Sequence, residues 1–232
     1  MKNTTKWGLL DLVCPHTCRG CGELGAVLCK RCKKYILEER VELCPICKKM
    51  VAENKESVQK ADEEYCEGCD SPFAGCWVVG WREGALAKLV RDFKYKSVRA
   101  VGRSLAELVD EVLPKELGEL TVVPLPTIGR HVRERGLDHT RMLAKALAKR
   151  RGWQVEQVLA RATDTVQVGA SAAKRKSQAE KTYELVKEIE PTRGYLLLDD
   201  VWTTGASMQA AAKVLHEAGA RRIYGAVVVI GK

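Results

Sequence analysis

The sequence predicts an α/β fold built on a mostly parallel sheet, preceded by a cysteine-rich N-terminal domain. All 10 cysteines of the 232-residue chain lie in its first 76 residues. After them, short apolar runs alternate with amphipathic helical patterns, and the last quarter has the order strand, helix, strand. We therefore expect two domains, residues 1–76 and 77–232.

Apolar residues recur at helical spacing in residues 86–93, 105–112 and 139–151, and Gly152 ends the third stretch. Short runs rich in β-branched residues at 120–125 and 155–159 predict two strands. Residues 162–182 carry no apolar period, which favours a long loop or lid.

The C-terminal quarter has the pattern of a βαβ unit. Residues 195–198 and 223–230 are strand-like, and 207–218 are helical. Parallel strands joined in this way place a ligand site beyond the carboxyl ends of the strands.

Composition excludes several classes of protein. An apolar fraction of 46% and a charged fraction of 30% are typical of a globular chain. The apolar runs are much shorter than the roughly 18 to 20 residues of a membrane span. Asp11 interrupts the N-terminal apolar stretch, so we expect no secretory signal and a cytoplasmic location.

Eight cysteines form four Cys-x-x-Cys pairs: Cys18 and Cys21, Cys29 and Cys32, Cys44 and Cys47, Cys66 and Cys69. This spacing predicts two structural Zn²⁺ ions, because two such pairs complete a tetrahedral thiolate site. Disulfides and iron–sulfur or redox use are the alternatives. We favour pairing of consecutive knuckles because the first two are close in sequence, while a cross-braced arrangement stays open. Cys76 is expected to be a small buried apolar residue.

The net charge of +9 is unevenly distributed. Residues 1–80 hold 12 of the 39 basic and 12 of the 30 acidic residues, so the excess belongs to the second part. If single-stranded DNA binds, we expect residues 81–232 to hold it. Basic residues that could form such a face, or the solvated side of amphipathic helices, are Lys88, Arg91, Lys94, Lys96, Arg99 and Arg103.

The segment at 197–207, Leu-Leu-Asp-Asp-Val-Trp-Thr-Thr-Gly-Ala-Ser, carries the clearest chemistry. Its adjacent carboxylates are acceptors suited to a vicinal diol, and the small residues after them open a helix whose N–H groups can enclose a phosphate. A capped helix with solvated aspartates is the simpler alternative. No P-loop sequence occurs in the chain.

This segment resembles the phosphoribosyl pyrophosphate (PRPP) motif of type I phosphoribosyltransferases. Together with the four knuckles, it makes the chain similar to ComF family proteins, a competence-associated group. Further matches are residues 89–95, which end in Phe-Lys-Tyr, the Val-Pro-Leu-Pro loop at 123–126, and Arg-Glu-Arg-Gly-Leu at 133–137. The resemblance covers nearly the whole chain.

The resemblance implies the following roles. Asp199 and Asp200 would hold the ribose hydroxyls and act in catalysis, and the loop from Pro124 would hold the pyrophosphate with Mg²⁺. Arg133 and Arg135 would be nearby anion-binding groups. The 5-phosphate would lie on Thr203, Thr204, Gly205, Ala206 and Ser207.

Two departures from the family pattern leave roles open. Asp138 and His139 stand where Asn-Gln is common, and Thr203 replaces the third acid of purine-salvage enzymes, which disfavours a 6-oxopurine substrate. His139 would be a helix cap, a surface residue or a proton carrier.

Three functions follow from the resemblance. The protein would transfer a phosphoribosyl group to an unidentified nucleophile, sense PRPP, or act as a zinc-ribbon DNA adaptor with a vestigial site. A role in natural competence, with single-stranded DNA and a helicase-like partner, is the biological setting that the family implies.

Overall fold

The computed structural model describes residues 16–39, 72–96, 99–127, 136–162 and 182–231. The helices are α1 (Lys30–Glu38), α2 (Gly84–Lys96), α3 (Arg99–Val112), α4 (His139–Arg151) and α5 (Ala206–Glu217). The strands are β1 (Gly75–Trp81), β2 (Leu120–Pro124), β3 (Gln154–Val155), β4 (Leu159–Arg161), β5 (Tyr183–Leu185), β6 (Gly194–Trp202) and β7 (Arg222–Ile230).

Five strands form one sheet in the order β1-β7-β6-β2-β3, and all of its neighbouring pairs are parallel. The strands β4 and β5 form a separate antiparallel pair. Because β6 is central, its carboxyl end lies between those of β7 and β2, where an open α/β sheet binds ligands.

Helices cover both faces of the sheet. On one face α2, α3 and α4 pack Leu89, Leu105 and Leu143 against Leu196 and Leu198 of β6. On the other face α5 and the β4–β5 pair pack around Leu197. The strand β6 is therefore buried on both sides, as its continuous apolar run requires. The predicted mostly parallel α/β fold is confirmed.

Most predicted elements are present, with three differences. The strand β6 continues beyond residue 198 through both aspartates to Trp202. The run at 155–159 is divided between β3 and β4, which belong to different sheets. The sequence patterns did not predict α1 or β1. The strand β1 starts at Gly75 and buries Cys76, as expected for that residue.

The first cysteine knuckle packs against the sheet domain. Arg19 lies between Cys18 and Cys21, and its Nε donates to Oδ2 of the buried Asp92 in α2 at 2.5 Å. Lys33 in α1 contacts Glu107 and Glu111 of α3, each at 2.8 Å. These ion pairs fix the knuckle to two helices of the same sheet face.

Several predictions fall outside the described residues. They concern Cys44, Cys47, Cys66, Cys69, Arg133, Arg135 and nearly all of the loop at 162–182. The division at residue 76 stays a prediction. In the described parts of the chain, no helix is both long and apolar enough to cross a membrane.

Candidate functional site

Two carboxylates mark the carboxyl end of the central strand. Asp199 and Asp200 precede the last two residues of β6, and strand geometry sends adjacent side chains to opposite faces. Asp200 lies on the face covered by α2, and Asp199 lies on the face covered by α5. A ligand across the end of β6 would have one carboxylate on each side.

Asp200 is 7% exposed and forms an ion pair with Lys94, whose Nζ lies 2.9 Å from its Oδ2. Lys94 comes from the last turn of α2, next to Phe93, which is fully buried and fixes that turn. The sequence patterns placed Lys94 only in a basic face. The buried Phe and the motif Phe-Lys-Tyr were the signals available, but only the fold brings this lysine to the carboxylate.

Asp199 has a pKa raised to about 7. Burial is the main cause, and the charge of Asp200 adds to it, while Lys94 and Arg161 act in the opposite direction. Its Oδ1 accepts a hydrogen bond from the backbone N–H of Asp200 at 2.8 Å. Around neutral pH this carboxyl is thus poised to gain or lose a proton.

A tight turn connects β6 to α5. Gly205 is the N-cap residue of α5 and adopts the left-handed conformation, with φ of 80°. A Cβ at this position would lie 2.4 Å from the buried indole of Trp202, so only glycine fits here. The first turn of α5 begins directly after it, and the N–H groups of such a turn have no partner within the helix.

The turn is open to solvent at Thr203, Thr204 and Ala206. The Oγ1 of Thr204 accepts from the backbone N–H of Ala206 at 3.4 Å. Ser207 is half-buried and contacts the Tyr183 hydroxyl. The turn presents small polar groups around a helix N-terminus, which is the arrangement that binds phosphate in many folds.

The loop after β2 reaches the same edge. Pro124 is paired with Leu198 of β6, and the N–H of Leu125 donates to the Leu198 carbonyl at 3.0 Å. Arg161, at the end of β4, donates from Nε to the Pro126 carbonyl at 3.1 Å. Its guanidinium lies over the Tyr183 ring, 5.3 Å from the centroid.

Arg161 is a second cation that the sequence patterns did not indicate. Its charge acts on Asp199, whereas Lys94 contacts Asp200. The carboxyl edge therefore combines two acids, two cations and a helix N-terminus within neighbouring elements. This composition suits a ligand that carries both hydroxyls and phosphates.

A second candidate site is the first pair of knuckles. One sulfur from each of Cys18, Cys21, Cys29 and Cys32 lies within 4.8 Å of the others, as a single tetrahedral metal ion requires. This grouping agrees with consecutive pairing. A Cβ on Gly20 would lie 2.5 Å from the Cys32 sulfur, so this glycine lets the first knuckle approach α1.

The thiols in this cluster interact strongly. Burial opposes ionisation of Cys18, but the N–H groups of Cys29, Cys21 and Gly20 outweigh it and lower its pKa to about 6. Burial and the neighbouring thiols raise the pKa of Cys32 to about 12. Four close thiols fit one Zn²⁺, whose charge would favour thiolates at all four positions.

The structure places His139 inside the protein and assigns Asp138, for which no role was predicted, to the cap of α4. His139 is not a cap or a surface residue, since it is 3% exposed and packs edge-on against Phe93 with ring centroids 5.2 Å apart. The cap of α4 is Asp138, whose Oδ1 accepts from the N–H of Arg141 at 3.0 Å.

Comparison with known proteins gives matches among solved structures only. No protein-family model matches the chain, and no curated protein matches its sequence. One similar structure is an allosteric regulatory enzyme of purine biosynthesis, with 17% identity and a TM-score of 0.43. Another is glutamine PRPP amidotransferase from B. subtilis in complex with ADP and GMP, with 17% identity and a TM-score of 0.42.

Each match covers 60% of this chain and 30% of the other chain.

Proposed function

We propose that this protein binds PRPP together with Mg²⁺ at the carboxyl end of β6. The observation that carries the proposal is the position of Asp199 and Asp200 directly before the Gly205 turn, beside Lys94 and Arg161. PRPP combines a ribose diol, a 5-phosphate and a diphosphate, and this edge offers a group suited to each.

The turn is assigned the 5-phosphate. Thr203, Thr204, Gly205, Ala206 and Ser207 would surround it, with the N–H groups of the first turn of α5 as donors. The exposure of Thr203, Thr204 and Ala206 supports this role, because a phosphate can reach the start of α5 from solvent.

The ribose hydroxyls are assigned to Asp199 and Asp200. Carboxylate oxygens accept hydrogen bonds from a diol, and they also suit Mg²⁺, which prefers oxygen ligands. When bound with the diphosphate, Mg²⁺ would neutralise part of its charge. Lys94 now compensates Asp200, so its ammonium is in place to turn toward a diphosphate oxygen.

The loop that begins at Pro124 is assigned the diphosphate, with Arg161 beside it through the Pro126 carbonyl. Arg133 and Arg135, outside the described residues, follow this loop in sequence and would supply further cations. A transferase reaction would break the bond between C1 of the ribose and the diphosphate oxygen and form one from C1 to a nucleophile. Cations that stabilise the leaving diphosphate would lower the activation barrier of this reaction.

The knuckles are proposed to hold two structural Zn²⁺ ions. Cys18, Cys21, Cys29 and Cys32 would bind the first, and Cys44, Cys47, Cys66 and Cys69 the second. The close grouping of the first four sulfurs supports the first site. Metal bound there would stabilise the domain that Arg19 and Lys33 attach to the sheet domain.

ComF membership, and with it a role in natural competence with single-stranded DNA and a helicase-like partner, is the biological setting we propose. Its support is the resemblance in the knuckles, the Phe-Lys-Tyr segment and the motif at 197–207. This role would take one of three forms. The protein would catalyse a reaction of PRPP, sense PRPP, or act as a DNA adaptor with a vestigial PRPP site.

Calorimetric titration of Asp200→Asn with Mg²⁺-PRPP tests the proposed site. A lost hydrogen bond to a charged group costs about 1.5 to 3 kcal/mol, so the affinity should fall roughly 10- to 150-fold. Glu217→Gln, which removes one negative charge at the far end of α5, is the matched control and should bind like wild type. Equal affinities for wild type and Asp200→Asn would reject the site.

A further inference from the structure

A basic groove lies beside the proposed PRPP site and shares Lys94 with it. The groove is a cavity of about 380 Å³, and its lining includes Arg82, Lys88, Arg91, Lys94 and Tyr95. It is formed by one face of α2 and by the segment that joins β1 to that helix.

The groove opens at the same edge of the sheet as the carboxylates. Arg82 directly follows β1, and its N–H donates to the carbonyl of Ile230 at the end of β7 at 3.0 Å. Because β7 lies between β1 and β6, Arg82 follows a strand about 10 Å from β6. Lys94 belongs to both places, since it lines the groove and contacts Asp200.

Four cations line the groove, and the described lining residues include no carboxylate. The nearest acid on α2 is Asp92, which is 2% exposed and holds Arg19 of the knuckle. Arg91 is 4.0 Å from Asp92 but keeps 65% of its side chain exposed. Arg82, Lys88 and Arg91 are therefore turned toward solvent and attract anions, whereas the charge of Lys94 is compensated by Asp200.

An aromatic ring stands at the end of this cationic surface. Tyr95 is 71% exposed, whereas Phe93, two residues earlier on α2, is fully buried. A solvent-facing ring next to guanidinium and ammonium groups offers a stacking surface for a planar heterocycle.

We propose that this groove is a second ligand site that binds a nucleotide. Arg82, Lys88 and Arg91 contact its phosphate, and Tyr95 stacks on its base. A volume of about 380 Å³ accommodates one such unit, either a free nucleotide or one nucleotide of a single strand. The site is distinct from the PRPP site and does not require that site to function.

The test is titration of the full-length protein with 2′-deoxyadenosine 5′-monophosphate, which lacks the vicinal diol that Asp199 and Asp200 are proposed to bind. The variant Arg91→Ala combined with Lys88→Ala should weaken binding at least about 10-fold, because it removes two charge-assisted contacts. Arg103→Ala is the control, since it removes an exposed cation of α3 outside the groove, and it should bind like wild type. Tyr95→Leu should weaken binding about 5- to 150-fold, and Tyr95→Phe should not.

Three further titrations distinguish the groove from the PRPP site and from a simple phosphate-binding surface. Asp200→Asn should bind the nucleotide at least as tightly as wild type, because it frees the charge of Lys94 at the groove. Failure of the PRPP site and failure of the groove therefore give different results. Inorganic phosphate should bind more weakly than the nucleotide. A short oligodeoxyadenylate identifies the source of the ligand: tighter binding than the free nucleotide assigns the groove to a strand, and weaker binding assigns it to free nucleotide.

The proposal is overturned if the groove variant binds the nucleotide like wild type, or if Arg103→Ala loses as much affinity. It is also overturned if Asp200→Asn abolishes nucleotide binding, which would place the nucleotide in the PRPP site. Inorganic phosphate binding as tightly as the nucleotide would exclude a role for Tyr95 and hence the proposed class of ligand.

Discussion

The ion pair between Lys94 and Asp200 is the contact on which the candidate site depends most. Asp200 is nearly buried, and Lys94 is 20% exposed, so solvent screens their interaction only weakly. A buried charge that loses its partner is strongly destabilising, while removal of both charges is often tolerated. This asymmetry makes the pair testable by a double-mutant cycle.

Lys94→Met should lower the free energy of unfolding by about 3 kcal/mol, because it leaves Asp200 without its cation. Lys94→Met combined with Asp200→Asn should recover most of that loss but still bind Mg²⁺-PRPP weakly. Urea unfolding of both variants gives the stabilities. A single variant as stable as wild type would show that the ion pair does not form in solution.

The raised pKa of Asp199 predicts how the stability of the folded protein depends on pH. Its pKa is about 7 in the folded protein and near 3.8 in the unfolded chain, so the folded state binds more protons between those values. Stability should therefore fall as pH rises from about 4 to about 7, in total by about 2 to 4 kcal/mol, and should level off above that range.

Asp199→Asn is the matched variant, because its side-chain oxygen still accepts from the N–H of Asp200. Urea unfolding at about pH 5 and about pH 8 measures how much stability is lost between these two values. The loss should be smaller for this variant than for wild type. The comparison of the two proteins cancels the titration of the cysteines. The same pH dependence in both would exclude Asp199 as its origin.

At the scale of elements, the site consists of a strand that continues through its acidic residues and a turn that only glycine can make. The apolar run at 195–198 predicted the start of β6 but not its end at Trp202. Two aspartates normally indicate a strand end, yet pairing with β7 continues as far as Trp202 and Ile230. The alternation of Asp199 and Asp200 between the two faces follows from this extension.

Gly205→Ala should destabilise the protein and abolish PRPP binding. The new Cβ would meet the Trp202 indole at 2.4 Å, in addition to the cost of about 1 to 2 kcal/mol for a left-handed backbone. We expect a total loss of about 2 to 5 kcal/mol. Melting measurements and PRPP titration check both effects.

Gly152→Ala is the control for the cost of the left-handed backbone alone, since Gly152 has φ of 72° and open space at the Cβ position. Its loss should be limited to about 1 to 2 kcal/mol. If both variants lose the same stability, Trp202 does not lie against the turn.

Sequence patterns predicted the mostly parallel α/β fold and the position of the acidic motif at the end of β6, because periodicity and motif spacing are local properties of the chain. They did not indicate Lys94 or Arg161 as site residues, since each reaches the edge only through packing of its own element. Phe93 anchors the turn that carries Lys94, and the contact with Pro126 positions Arg161. The strand β1 was not predicted because its apolar residues directly follow the cysteine region.

In the molecule as a whole, ion pairs connect the region of the first cysteine cluster to the sheet domain. Arg19 and Lys33 of the first knuckle region hold α2 and α3, and α2 carries Lys94 to the candidate site. Loss of the knuckle structure would therefore also affect the position of the lysine beside Asp200.

Metal analysis of protein purified under reducing conditions should find two zinc ions per chain. Cys32→Ser should lower the content by about one ion, because its sulfur is one of the four grouped ligands. A value below one in wild type would reject the zinc assignment. An unchanged value in Cys32→Ser would exclude Cys32 as a zinc ligand.

Binding of PRPP with Mg²⁺ at the carboxyl end of β6 is the proposal from which the other assignments at this edge follow. Calorimetric titration of the full-length wild-type protein tests it most directly, with Mg²⁺-PRPP compared with ribose 5-phosphate. We predict one binding site per chain, dependence on Mg²⁺, and weaker binding of ribose 5-phosphate because it lacks the diphosphate that Lys94 and Arg161 would contact. No binding at millimolar Mg²⁺-PRPP, or equal affinity for both compounds, would contradict the account.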